Sequence, residues 1–237
     1  MASFYSVTNP HKNSTIKPIV VVLAPGAGGS RTSPALISCS KKLSTLGITT
    51  LCFDFPYRMA GKKAPDSPKV LNKTFLEAIE MAVKKCAANL SKRGKSNKKI
   101  RVIIGGRSMG GRVASLISAE KGIISFDVQL NSKESISASV LACLFLSYPL
   151  HAPGKTERKD SHFSKILQKC LFVSGDRDVF ATPAELKSSA KKVKGSTKLI
   201  FLEGGDHELK TRKSDPFTFE ELNDQLADQV VKFIKAL

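Results

Sequence analysis

The chain has 237 residues, 41% hydrophobic and 24% charged, which fits one folded domain and argues against global disorder. Lysine and arginine outnumber aspartate and glutamate 38 to 20, a formal net charge of +18 that favours polyanions or acidic partners but specifies no fold. No apolar run approaches the length of a bilayer-spanning helix, which excludes an integral helical membrane protein. Ile19–Ala24 reads as the first long strand, after a segment 1–17 with room for one edge strand near Phe4–Val7. Pro34–Leu46 has a helical apolar spacing and stops at Gly47. Ile48–Phe55 is a second strand, Leu71–Leu90 a long helix, Ile100–Ile104 a third strand and Met109–Glu120 a helix that ends near Gly122. Lys121–Ser137 reads as a loop with fragmentary helix. Val140–Ser147, Cys170–Ser174 and Lys198–Leu202 are further strands, with helices at Pro183–Val193 and Phe219–Ala236. The strands are nearly continuous apolar runs, as expected when both faces are covered, and their alternation with helices predicts a parallel sheet.

The five cysteines include no Cys-x-x-Cys pair, and three of them (Cys52, Cys143, Cys170) sit inside apolar runs. This predicts neither a zinc site nor a disulfide framework, and a reducing, intracellular setting, cytoplasmic or nuclear.

Gly106-Arg107-Ser108-Met109-Gly110 has the form Gly-x-Ser-x-Gly, between a strand and a helix. That context suits a nucleophilic serine on a strained turn, although the pattern alone also fits a glycine-rich turn packing helix on sheet. A serine nucleophile needs a base, and there are four histidines. His11 and His162 lie in polar stretches, whereas His151 and His207 follow strands, where chemistry collects in such sheets. Cys170–Ser174 runs into Gly175-Asp176-Arg177-Asp178, so an acid also follows a strand. The order Ser108, Asp178, His207 is the α/β-hydrolase order. A dinucleotide fingerprint from Gly26 would need glycine where Arg31 stands, and a P-loop would need Gly-Lys-Ser/Thr, so both nucleotide readings fail.

These motifs resemble the α/β-hydrolase superfamily over nearly the whole chain. The closest resemblance is to its dienelactone-hydrolase-like branch, which holds the testis-expressed α/β-hydrolase-like proteins and subunit three of the NSL histone-acetyltransferase complex. Gly105–Gly110, Ser147-Tyr148-Pro149-Leu150-His151 and Leu171–Gly175 carry it. The resemblance implies a single-domain α/β-hydrolase over 18–237, with no lid because about one short helix fits between Pro149 and Cys170. It implies Ser108 as nucleophile, His207 as base and Asp178 as acid, with Asp176 the alternative. The amides of Met109 and Ala27 would form the oxyanion hole, although Pro25-Gly26 stands where many hydrolases have His-Gly. Arg107, Arg58, Tyr148 and His151 are candidates to line the substrate site, the arginines by binding a carboxylate or phosphate. Structural roles suit both arginines equally well, and His151 suits a turn cap better than a base.

The expected function is serine hydrolysis of an ester or related acyl bond in a small, soluble substrate, carboxylesterase-like and without a cofactor. The rival is a non-catalytic interaction subunit that docks an acidic protein through its basic surface. Sequence-independent nucleic-acid binding rests on charge alone.

Overall fold

The computed structural model describes residues 4–12, 14–15, 17–94, 99–121, 125–131 and 134–237. Its elements in chain order begin with β1 (Tyr5–Thr8), β2 (Ile19–Ala24), α1 (Pro34–Thr45), β3 (Thr49–Phe53), α2 (Pro56–Met59) and α3 (Pro68–Ser91). They continue with β4 (Lys99–Arg107), α4 (Met109–Lys121), β5 (Ser125–Gln129), β6 (Ser135–Leu146) and a 3₁₀ turn at Ser161–Lys165. β7 (Lys169–Gly175), α5 (Pro183–Ala190), β8 (Thr197–Leu202) and α6 (Phe219–Lys235) complete the chain.

The described strands form one eight-stranded sheet in the order β1-β3-β2-β4-β6-β7-β8, with β5 alongside β6. The pairs β3–β2, β2–β4, β4–β6, β6–β7 and β7–β8 are parallel. β1 and β5 pair antiparallel. Both faces are covered, and the period of two in β2 shows how. Val20, Val22 and Ala24 pack toward α3 and α4, whereas Ile19, Val21 and Leu23 pack toward α1 and α6. Such strands read as unbroken apolar runs because each neighbour serves a different core.

Local chemistry sets the helix ends. Thr182 and Thr218 each form a capping box, with Glu185 and Glu221 respectively, which fixes where α5 and α6 start after their loops. Gly47, at φ 77, ends α1 as expected. α3 starts at Pro68, earlier than Leu71, because proline suits the first helical position. The end expected for α4 near Gly122 lies outside the described residues.

One expectation is corrected. Within Lys121–Ser137, the segment Ser125–Gln129 is a strand that doubles back on the start of β6, with Phe126 opposite Ala138. Ser135–Val140 alternates outward serines with buried Ile136, Ala138 and Val140, so β6 begins well before Val140. β4, β6, β7 and β8 are successive strands of the sheet, and the loops bearing Ser108, Asp178 and His207 leave the C-terminal ends of β4, β7 and β8. Between β6 and β7 the described chain forms only the 3₁₀ turn, so no lid domain stands over those ends.

Candidate active site

Ser108 follows β4 directly and has φ 51, a left-handed conformation that a non-glycine residue adopts only under constraint. The constraint comes from close packing. A Cβ on Gly106 or on Gly110 would run into the Ala24 backbone, so both positions need glycine for the elbow to seat against the end of β2. A Cβ on Gly26 would lie 3.3 Å from the Ser108 Cβ, so the loop after β2 faces the serine across a narrow gap.

The structure brings Ser108, His207 and Asp178 together. The His207 Nε2 lies 2.8 Å from Ser108 Oγ, and its Nδ1 lies 2.9 and 3.0 Å from the two Asp178 oxygens. A carboxylate at Nδ1 holds the proton on that nitrogen, which leaves Nε2 to accept from the serine hydroxyl. Asp178 is buried, and it also accepts from the Ser174 hydroxyl at 2.9 Å and the Phe180 amide at 2.8 Å. These two donors aim the carboxylate. Asp176 points elsewhere and accepts the Gly204 amide at 2.9 Å, bracing the histidine loop. The Phe180 ring lies over the imidazole with centroids 4.1 Å apart.

Met109 opens α4 and follows the serine directly, so its amide is one of the helix N-terminal donors that have no partner within the helix. Ala27 sits in the loop after β2, and its carbonyl accepts the Tyr57 hydroxyl at 2.7 Å. That loop is tied down twice more. The Arg58 Nε donates to the Gly29 carbonyl at 3.2 Å, and Arg31 binds Asp54 through its amide and its guanidinium, each at 2.6 Å. The β3–α2 segment therefore holds the loop from outside, where no histidine precedes Gly26.

The candidates for substrate contact fall differently. Tyr148 is corrected to a core residue: it is fully buried, its hydroxyl bonds Ser115 at 2.9 Å, and its ring packs on Phe145, Phe163 and Phe172. His151 is also corrected. It is buried, with Nδ1 at 2.9 Å from the Ala152 carbonyl and Nε2 at 3.2 Å from Glu185, and its pKa is raised by those partners, the carbonyl foremost. Arg58 supports the Gly29 loop. Arg107 donates to the His207 carbonyl, and burial pulls its pKa down against the opposing pull of Glu208, Asp178 and Asp206.

Tyr57, Phe180, Arg31 and Asp54 belong to the site, but no sequence pattern marked them. The available signal is position after β2, β3 and β7, the same kind of signal that marks the acid. Among the described residues no group of three or more His, Cys, Asp or Glu is placed to hold a metal. Such an arrangement can transfer a proton from a serine hydroxyl to an imidazole, the chemistry of acyl transfer.

Residues 17–235 match a family model described as an alpha/beta hydrolase domain. The fold is similar to that of a serine hydrolase without lid from Xanthomonas campestris, with TM-score 0.62 and 16% identity over 97% of this chain and 88% of that one. It is also similar to Est1E from Butyrivibrio proteoclasticus, with TM-score 0.60 and 16% identity over 98% and 94%. Dienelactone hydrolase from Anabaena variabilis matches with TM-score 0.56 and 15% identity over 96% and 90%.

Proposed function

Since the chain belongs to the alpha/beta hydrolase domain family, we propose that it is a serine hydrolase cleaving an ester or related acyl bond of a small, soluble substrate. The observation that carries this reading is the unbroken hydrogen-bonded line from Asp178 through His207 to Ser108. His207 takes the Ser108 proton as the hydroxyl attacks the acyl carbon, then returns it to the leaving alcohol. Asp178 stabilises the imidazolium, and water clears the acyl-enzyme by the same route. The amides of Met109 and Ala27 receive the developing oxyanion, where loss of one donor typically costs about 2.7–4 kcal/mol of barrier. An open site without a lid favours small, carboxylesterase-type substrates over long lipid chains. Residues 18–237 form the hydrolase domain in this reading and 1–17 an appended edge segment. The motifs around Ser108 and Ser147–His151 favour the branch with the testis-expressed and NSL-subunit relatives. Five buried free thiols support an intracellular setting.

A fluorophosphonate probe and short-chain p-nitrophenyl esters test the reading. We expect labelling of wild-type protein at Ser108 and ester turnover, both abolished in Ser108→Ala. A folded wild-type protein that takes no label and cleaves none of the esters overturns the hydrolase reading in favour of a non-catalytic interaction subunit.

A further inference from the structure

Resting on the hydrolase reading, we propose that Arg107 is a positioning residue for His207, fastening the histidine's own peptide to the elbow that bears the nucleophile. The histidine loop lies between β8 and α6 and has no regular structure. Its beginning is tied to the acid loop. The Arg177 amide donates to the Gly205 carbonyl at 3.0 Å, the Arg177 Nε to the Gly204 carbonyl at 3.0 Å, and the Gly204 amide to Asp176. The turn around the histidine is closed on itself, with Asp206 Oδ1 accepting the amides of Glu208 at 2.7 Å and Lys210 at 2.8 Å. These bonds fix the loop to itself and to the acid side, but not to the serine side.

Apart from the Ser108–His207 contact, the bond from Arg107 Nη2 to the His207 carbonyl, at 2.5 Å, is the hydrogen bond that joins elbow and histidine among the described residues. Arg107 and Ser108 are consecutive, so one residue is held at two points by two neighbours on a single rigid strand end. The guanidinium fixes the main chain of His207, and the hydroxyl meets its ring. With its main chain anchored at the elbow and its Nδ1 held by Asp178, the imidazole has a narrower range of positions relative to the hydroxyl. A charged donor suits the task, because charge-assisted bonds are shorter and stronger than neutral ones.

Arg107 also borders a cavity of about 170 Å³ with Lys210, Glu208 and Ser33, so a rival role as a substrate carboxylate receptor predicts a different kinetic signature. The test compares wild type, Arg107→Met, Arg107→Lys and Arg107→Ala on p-nitrophenyl acetate and on a matched ester carrying a carboxylate. We expect Arg107→Met to lower kcat about 10–100-fold, the scale of an ångström-sized misplacement, with KM unchanged for both esters. Arg107→Lys should recover part of the loss. Added guanidinium, but not an equal concentration of sodium chloride, should rescue Arg107→Ala. The downfield proton signal of the His207 Nδ1–Asp178 bond should be sharp in wild type, broaden or vanish in Arg107→Met and return with the lysine. An unchanged kcat and signal in Arg107→Met overturns the proposal, as does a rise in KM confined to the carboxylate ester. If wild type takes no fluorophosphonate label, the hydrolase reading fails, and the proton signal still decides whether Arg107 fixes the imidazole.

Discussion

Asp178 and Asp176 stand two residues apart on one turn and serve different partners. Asp178 meets the imidazole and Asp176 meets the Gly204 amide. Asp178→Asn should lower kcat roughly 10³–10⁴-fold by favouring the wrong imidazole tautomer while leaving the melting temperature nearly intact. Asp176→Asn should instead loosen the histidine loop, with a smaller kinetic loss and a lower melting temperature. The reverse pattern would mean that the acid is misassigned. Tyr57 offers a finer probe, because Tyr57→Phe deletes only the hydroxyl that holds the Ala27 carbonyl. With the loop loosened, kcat should fall about tenfold, and affinity for a transition-state-like phosphonate should fall with it while KM stays level. Equal losses in KM and phosphonate affinity would point to substrate contact instead. Ser108, Asp178 and His207 were legible in the sequence because each follows a strand and lies beside a glycine or turn residue. Tyr57 and Phe180 were not, because a buried tyrosine or phenylalanine after a strand looks like any core aromatic until the chain is folded.

At the scale of elements, the helix behind the nucleophile is docked by a polar cluster as well as by apolar packing. Ser115 on α4 bonds Tyr148 after β6 and, at 2.8 Å, the Nε2 of His162 in the 3₁₀ turn. Burial, helped by Arg112 and Lys165 and opposed by Asp160, pulls the His162 pKa from 6.5 down to about 4. Between those values the unfolded chain binds a proton that the folded chain refuses. Stability therefore falls as pH drops from about 6.5 to about 4, and this contribution is flat above that window. Urea midpoints across pH 7 to 4.5 should show a shallower slope for His162→Gln than for wild type. Parallel curves would remove His162 from the account of acid sensitivity. The parallel strands and most helices could be read from continuous apolar runs and cap residues. The β5–β6 hairpin is not legible although Ile136, Ala138 and Val140 alternate with serines, because serine-rich sequence between basic residues resembles a loop when its partner strand is unknown. The single turn of α2 leaves no mark in the sequence, because four residues carry no period.

At the scale of the whole molecule, one cluster of the excess positive charge lies away from the chemistry. Lys85, Lys92 and Lys99 are exposed around the end of α3 and the start of β4, the opposite end of that strand from Ser108. The same basic stretch of sequence includes Lys95 and Lys98, which lie outside the described residues. Lys84 pairs with Glu80 at 2.7 Å, and Lys192, beyond α5, holds Asp160 at 2.9 Å, so part of the excess is already matched. The remaining field extends about one Debye length, ~8 Å at physiological salt. Retention on heparin or DNA should be measurable at low salt, fall steeply toward physiological salt, and weaken on Lys85→Glu, Lys92→Glu and Lys99→Glu with esterase activity unchanged. No retention at low salt would leave these lysines to solubility alone. The left-handed backbone at Ser108 bears on the molecule's stability as well as its chemistry. A residue with a Cβ in that conformation costs about 1–2 kcal/mol, a sizeable share of the 5–15 kcal/mol that holds a domain folded. Glycine would relieve that cost, so Ser108→Gly should raise the melting temperature while abolishing ester turnover, and a fold kept only for docking would lose nothing by the exchange.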